Sequence, residues 1–363
     1  MIWLNSYLRG RQQLVLVDGH QSEPLHLEAG VPQGSILGPL LYILYTNDIS
    51  EVIHEECEDG QDHPADSIVS YADDSTLSSF SKDPIALKAK IDEQYLSISK
   101  YMAMNKLKLN SDKTHLMIMR TAEMHKSQGT SGIELDTGTE VIQPSKCEKL
   151  LGAHISQDMK WEQHLRSHSK SAVKILTSRI NALWKISPLA SFKSRKMIAD
   201  GIFISSLIYV IQLWGGANKS LISSLQILQN KAARAVTKLG WRTPVRTLLH
   251  QCGWLSVRQL IVYHNCLFLF KTKSLSKPAY FQAKFTSQTD QGLYPPIASR
   301  TRLPSTNGIR ADNRIQSDLD KQNFCYMGVQ SWNMLPADIR QERKLMVFKR
   351  KLRDWIKMNI AIR

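Results

Sequence analysis

Apolar side chains in this sequence fall into two rhythms. From Trp161 onward they recur at three- and four-residue steps, the spacing of one helix face. This predicts helices over SAVKILTSRINALWKI, LISSLQILQNKAARAV, VRQLIVYHNCLFLFKTK and the closing KLMVFKRKLRDWIKMNI, whose Leu345, Phe348, Leu352 and Ile356 share a face. The run Met197 to Trp214 has the length of a membrane span, but Asp200, Gln212 and its serines argue for a buried helix. Earlier in the chain the pattern is shorter. IWLNSYL predicts a short helix, Gln12 to Val17 an extended pair turning at Asp18-Gly19, and LGPLLYILYTNDI a buried helix. SIVSYA, Asp73-Asp74 and STLSSF predict a β-hairpin with an acidic tip. Pro84 opens a helix with Leu87, Ile91, Tyr95, Ile98 and Met102 on one face. Lys106 to Met119 reads as strand–turn–strand with Lys113 just past the turn, and Leu150 to Ile155 as another short strand. Residues 121–140 read as an exposed polar insertion and 274–325 as a loop-heavy connector.

Composition adds a partner class. The 363 residues are 42% hydrophobic and 22% charged, an ordinary globular balance with material for two or three domains. Five cysteines, at 57, 147, 252, 266 and 325, make an odd, unpaired-looking set that fits a reducing, intracellular compartment. The formal charge is +15, unevenly placed: residues 1–120 carry a net −7 and residues 121–363 a net +22. Such a basic remainder is a nucleic-acid footprint if its charges share a face.

The chemistry centres on adjacent carboxylates. Like charges this close repel, and a divalent cation with oxygen ligands removes the conflict. Alone, an Asp-Asp pair is more often an ordinary turn. The acid-rich 51–66 stretch follows no ligand spacing and reads as a solvated loop. His250-x-Cys252 and His264-x-Cys266 match no common zinc finger, and buried core positions are the default for them.

Four blocks in order change the weighing: Gly30-Val31-Pro32-Gln33-Gly34-Ser35-Ile36-Leu37-Gly38-Pro39-Leu40, Tyr71-Ala72-Asp73-Asp74, Leu109-Asn110-Ser111-Asp112-Lys113-Thr114, and Leu151-Gly152. This succession resembles the reverse transcriptases of non-LTR (LINE-type, jockey-like) retrotransposons. SYLRGRQQLV, MKWEQHL, LQILQNKAARAV and SWNMLPADIR extend the likeness over nearly the whole chain. The resemblance implies an α+β fold: a partial right-hand polymerase palm with primer grip over 1–156, an antiparallel sheet with helices. An all-α thumb-like region over 157–273 and a loop-rich connector with a basic C-terminal helix over 274–363 follow it. It implies RNA-directed DNA polymerisation by two-metal nucleotidyl transfer to a primer 3′-hydroxyl, with Mg²⁺ or Mn²⁺ held by Asp73 and Asp74. Gln33, Gly34, Ser35 and Tyr71 would bind template and nucleotide. Lys113 would be the general acid or a phosphate-positioning group, and Leu151-Gly152 would lie in the primer grip. RNA template, DNA primer and dNTPs are the implied partners, with no membrane and with the nucleus one intracellular setting.

The pattern also departs from the family. The family's first catalytic Asp sits on a strand ahead of the SYL segment, and here only Asp18, in a Val-Asp-Gly-His turn, precedes Gly30. The resemblance then implies a chain truncated in mid-palm, inactive alone unless the missing palm and fingers act in trans. The alternative is a nucleic-acid-binding remnant without catalysis.

Overall fold

The computed structural model describes residues 2–52, 67–81, 83–119, 133–275, 285–287, 309–311 and 324–361. Most of the acid-rich 51–66 loop, most of the 121–140 insertion and most of the 274–325 connector lie outside the described residues. The chain forms two compact units: residues 1–116 with 128–144, and residues 117–127 with 145–363.

In the first unit, local signals start the elements where the sequence pattern puts them. Asp83 caps the helix Pro84–Met104, its carboxylate accepting from the Ile85 and Ala86 N–H groups (3.3 and 3.0 Å), and Pro84 supplies a fixed φ at the first turn. Asp18 and Gly19, both at positive φ, turn the ladder Leu16–Val17/His20–Gln21. Ser67–Tyr71 and Asp74–Ser78 form an antiparallel hairpin. Its Ile68 and Leu77 pack on a small core of Ile49, Ile98 and Met102, joined by Leu107 and Leu109. Two expectations about this unit's elements do not hold. Among the described residues the hairpin strands pair only with each other, and the Lys113–Met119 segment does not extend their sheet. Of the expected strand–turn–strand, the first arm has no strand, the turn is a 3₁₀ turn Ser111–Lys113, and the return arm keeps only Leu116–Met117. The apolar helix Leu37–Tyr45 buries only Gly38, while Leu40, Ile43, Leu44 and Tyr45 are exposed, because no described element of this unit covers that face.

The second unit holds the large core. Helices Ala172–Ile186, Lys219–Thr237, Val257–Leu275 and Leu345–Asn359 occupy the spans their periodicity predicts. Leu176, Leu225, Phe348, Leu352 and Ile356 are fully buried among them. A glutamine clamp ties the helices: Gln229 donates to the Leu255 carbonyl (2.9 Å), Gln226 accepts from the Val257 N–H (2.8 Å), and Gln259 donates to the Ile360 carbonyl (2.8 Å). Satisfied amides in a dry interior fix the packing of the elements they bridge. Helices Val245–Cys252 and Phe324–Asn333 carry too short a pattern to be read in advance. Within the connector, Phe285–Ser287 and Ile309–Ala311 pair antiparallel.

Met197 to Trp214 is not the single buried helix its pattern predicts. Helix Phe192–Ala199 widens into a π turn at Asp200–Ile204, then breaks at Val210 (φ 45°) before Ile211–Trp214. The cause is polar. Arg179 donates to the Ile202 carbonyl and to the Ser206 hydroxyl, and the Ser205 and Ser206 hydroxyls donate to carbonyls four residues back. Side chains that enter the helical ladder in this way bulge it. No helix among the described residues is long and apolar enough to cross a membrane.

Candidate functional site

A tight turn sets the entry to the glycine block. The Ser35 N–H donates to the Pro32 carbonyl (3.2 Å), with Gln33 and Gly34 at the corners and Gly34 at φ +80°. This is a type II arrangement, whose third position requires glycine. Ser35 Oγ then accepts from the Gly38 N–H (3.1 Å) at the start of helix Leu37–Tyr45, and from the Tyr7 hydroxyl (2.6 Å). Arg11 holds the same loop, Nε donating to the Leu8 carbonyl (3.1 Å) and Nη2 to those of Ala29 (3.3 Å) and Gly30. Gln33 stays exposed beside a groove of about 560 Å³ lined by Arg11, Gln13, Leu27 and Pro32.

The acidic pair occupies the hairpin as its pattern predicts. Ala72 and Asp73 make the two-residue loop, and Asp74 begins the return strand opposite Tyr71. Ala72 adopts φ 54°, a left-handed conformation that costs an L-residue about 1–2 kcal/mol. The strain therefore falls on the loop that aims Asp73. Both carboxylates are exposed, and the ion pairs among the described residues engage other acids: Asp92, Asp158, Asp200 and Glu342. Tyr42, on the helix that follows the glycine block, has its phenol pKa raised first by burial and then by the Asp73 charge. The glycine-block helix thus lies within range of the Asp73 charge. Lys113 is exposed on its 3₁₀ turn and makes no ion pair with either aspartate among the described residues.

Leu151 and Gly152 belong to the second unit. They are the turn of the hairpin Cys147–Leu150/Ala153–Ser156, at φ 46° and +84°. Tyr209 seats this turn: its hydroxyl donates to the Leu151 carbonyl, and a Cβ on Gly152 would stand 3.2 Å from its ring. Two histidines, His164 and His168, lie against His154 of the hairpin. The His154 N–H donates to His164 Nδ1 (3.3 Å), and the His154 and His168 rings stack at 3.8 Å. Burial, then the His154 charge, lowers the His164 pKa to about 4. Burial, then His168, Lys149 and Lys170, lowers that of His154.

The first 176 residues match the protein family described as reverse transcriptase (RNA-dependent DNA polymerase). Similar proteins carry the same reading further. A probable RNA-directed DNA polymerase from transposon BS of Drosophila melanogaster is 29% identical over 72% of this chain and 28% of its own length. The RNA-directed DNA polymerase from mobile element jockey, also of D. melanogaster, is 27% identical over 68% and 26%. The X-element polymerase of the same fly is 26% identical over 66% and 25%. Residues 1–176 therefore carry a reverse transcriptase domain, and the chain is similar to the polymerases of non-LTR retrotransposons. It spans about a quarter of the length of those relatives, and no solved structure matches it. Reverse transcriptases as a family have a palm-type polymerase fold and use divalent metal ions. The described part of this chain is α+β, with small antiparallel ladders and many helices.

Among its described residues no group of three or more His, Cys, Asp and Glu side chains is arranged to hold a metal. Cys252 and Cys266 are buried in the helical core, where burial raises both thiol pKa values, to about 12 for Cys252. His250 stands exposed. Tyr7, Arg11 and Tyr42 were not legible as site residues. Their roles depend on partners 18 to 31 positions away, and only the SYLRGRQQLV segment hinted at the first two.

Proposed function

We propose that this chain is the polymerase segment of an RNA-directed DNA polymerase. Residues 1–156 would form part of a palm with its primer grip, 157–273 a thumb-like helical region, and 274–363 a connector with a basic C-terminal helix. The observation that carries the reading is the two-residue hairpin loop that exposes Asp73 and Asp74 side by side, with Ala72 held at φ 54°. Two exposed aspartates with no ionic partner among the described residues are a hard, anionic oxygen set that fits Mg²⁺ or Mn²⁺, and Asp73 and Asp74 would hold the ion. When bound, it supplies charge stabilisation at the attacking and leaving oxygens of a nucleotidyl transfer. The chain's own residues then do the rest. The Gln33–Ser35 turn, with Tyr71 opposite Asp74, presents backbone and side chains to template and nucleotide. Lys113 positions the triphosphate, and the Leu151-Gly152 turn supports the primer.

A second reading, nucleic-acid binding without turnover, is favoured by one observation: the described residues bring no third metal-binding group to the pair. In that reading the pair alone would not catalyse transfer, and a further carboxylate would have to join it. Binding and primer extension separate the readings. An RNA–DNA primer–template should bind with a steep loss of affinity as salt rises, since the +22 segment releases counterions from phosphates. Salt-insensitive binding, or none at low salt, refutes both readings. Extension of oligo(dT) on poly(rA) by the chain alone, abolished by Asp73→Ala with Asp74→Ala, would refute the second.

A further inference from the structure

Between Asp200 and Asp290 the sequence contains eleven lysines and arginines and no acid. The middle of that stretch presents an aromatic ring to solvent. Trp241 is 76% exposed, the most exposed of the eight tryptophans. It sits on the loop between helices Lys219–Thr237 and Val245–Cys252. The loop is built to hold it there. Lys238 closes the first helix in the left-handed conformation (φ 58°), its N–H donating to the Arg234 carbonyl (2.8 Å). Leu239 and Val245 pack on the core at either side, and the Thr243 N–H donates to the Gly240 carbonyl (3.1 Å). Arg234 reaches over to donate to the Trp241 carbonyl (3.1 Å), and the Arg242 guanidinium lies 5.0 Å from the indole centroid. The helix end beneath is fixed by Arg195, which donates to the Val236 and Ala190 carbonyls (2.7 and 2.6 Å).

We propose that Trp241 and Arg242 form a stacking platform for an unpaired base of single-stranded nucleic acid, with Lys238 and Arg246 taking the flanking phosphates. The indole lies in a stretch of sequence without acids, is left uncovered by the described residues, and every base offers it a π-face. The guanidinium over the ring adds cation–π attraction and sits within reach of a backbone phosphate. A held ring loses little conformational freedom on binding. The charge favours a polyanion over an apolar protein surface. The platform belongs to the second unit and stands or falls independently of the polymerase reading.

The test uses the full chain and fluorescence anisotropy with labelled single-stranded RNA, single-stranded DNA and a blunt RNA–DNA duplex. Trp241→Ala should weaken both single strands about 10-fold, the loss of one stacked base, and change duplex affinity less than about 2-fold. Trp241→Phe should retain most single-strand affinity, and the salt slope of Trp241→Ala should equal that of the wild type, since no phosphate contact is removed. Loss of duplex binding in the wild type with these single-strand effects intact would refute the polymerase reading and leave the platform standing. Unchanged single-strand affinity in Trp241→Ala, equal losses on single strand and duplex, or Trp241-dependent binding of polyglutamate in place of RNA would each overturn the platform.

Discussion

Acid should loosen the hairpin that carries Leu151 and Gly152 through one histidine. His164 is 7% exposed, and its Nδ1 accepts the His154 N–H, so the folded state requires it neutral. His154, His168, Lys149 and Lys170 surround the cluster, and no carboxylate is among the groups that shift it. Its pKa is lowered to about 4 in the fold from the ordinary 6.5. A depressed histidine leaves stability untouched above the unfolded pKa. As pH falls below 6.5 the unfolded chain takes up the proton first, and stability is lost until the folded pKa is passed near 4. At about 1.4 kcal/mol per pKa unit the full loss is about 3 kcal/mol, most of it present by pH 4.5. For a urea m-value of about 2–3 kcal/mol/M this moves the midpoint by roughly 1 M. Seven of the eight tryptophans lie in the helical unit, so their fluorescence reports its unfolding. Urea melts between pH 7.5 and 4.5 should show this loss in the wild type. His164→Gln, which keeps an acceptor for the His154 N–H but does not titrate, should lose the His164 share and keep only what the lowered His154 pKa contributes. The same acid dependence in both proteins would refute the reasoning.

Three substitutions probe the turns and the helix end. Ala72→Gly removes a left-handed alanine, so amide exchange at Ser70 and Ser75 should slow or stay level; faster exchange would contradict the strain at that loop. Gly152→Ala places a methyl 3.2 Å from the Tyr209 ring at φ +84° and should destabilise the helical unit by about 1–3 kcal/mol in urea melts, whereas a neutral result would mean that Tyr209 does not seat the turn. Arg195→Met keeps the apolar stem but strands the Val236 and Ala190 carbonyls, for an expected loss of about 2–3 kcal/mol; a loss under about 0.5 kcal/mol would show that water replaces the guanidinium.

What could be read from sequence was local. The Asp83-Pro84 start, the Asp18-Gly19 turn, the Phe348–Leu352–Ile356 face and the Asp73-Asp74 loop are each specified within a few residues, by caps, turn chemistry and helical period. The π bulge at Asp200–Ile204 was not legible because it depends on Arg179, more than twenty positions upstream. Apolarity in Leu37–Tyr45 marks a face that burial would stabilise but does not supply the element that buries it. Strand partnership is likewise non-local, so the hairpin could be foreseen and its sheet could not. Within the site, the carboxylates and the glycine turn were visible, while their connection through Tyr42 emerged only in three dimensions.

The central claim is that Asp73 and Asp74 hold the divalent ion of a nucleotidyl transferase. Mn²⁺ titration followed by electron paramagnetic resonance, with an RNA–DNA primer–template bound, tests it without requiring turnover. The account predicts at least one Mn²⁺ per chain that is lost when Asp73→Asn and Asp74→Asn are combined, in a protein whose circular dichroism and primer–template affinity at equal free Mn²⁺ are otherwise retained. Equal Mn²⁺ binding by the wild type and the double variant would contradict it.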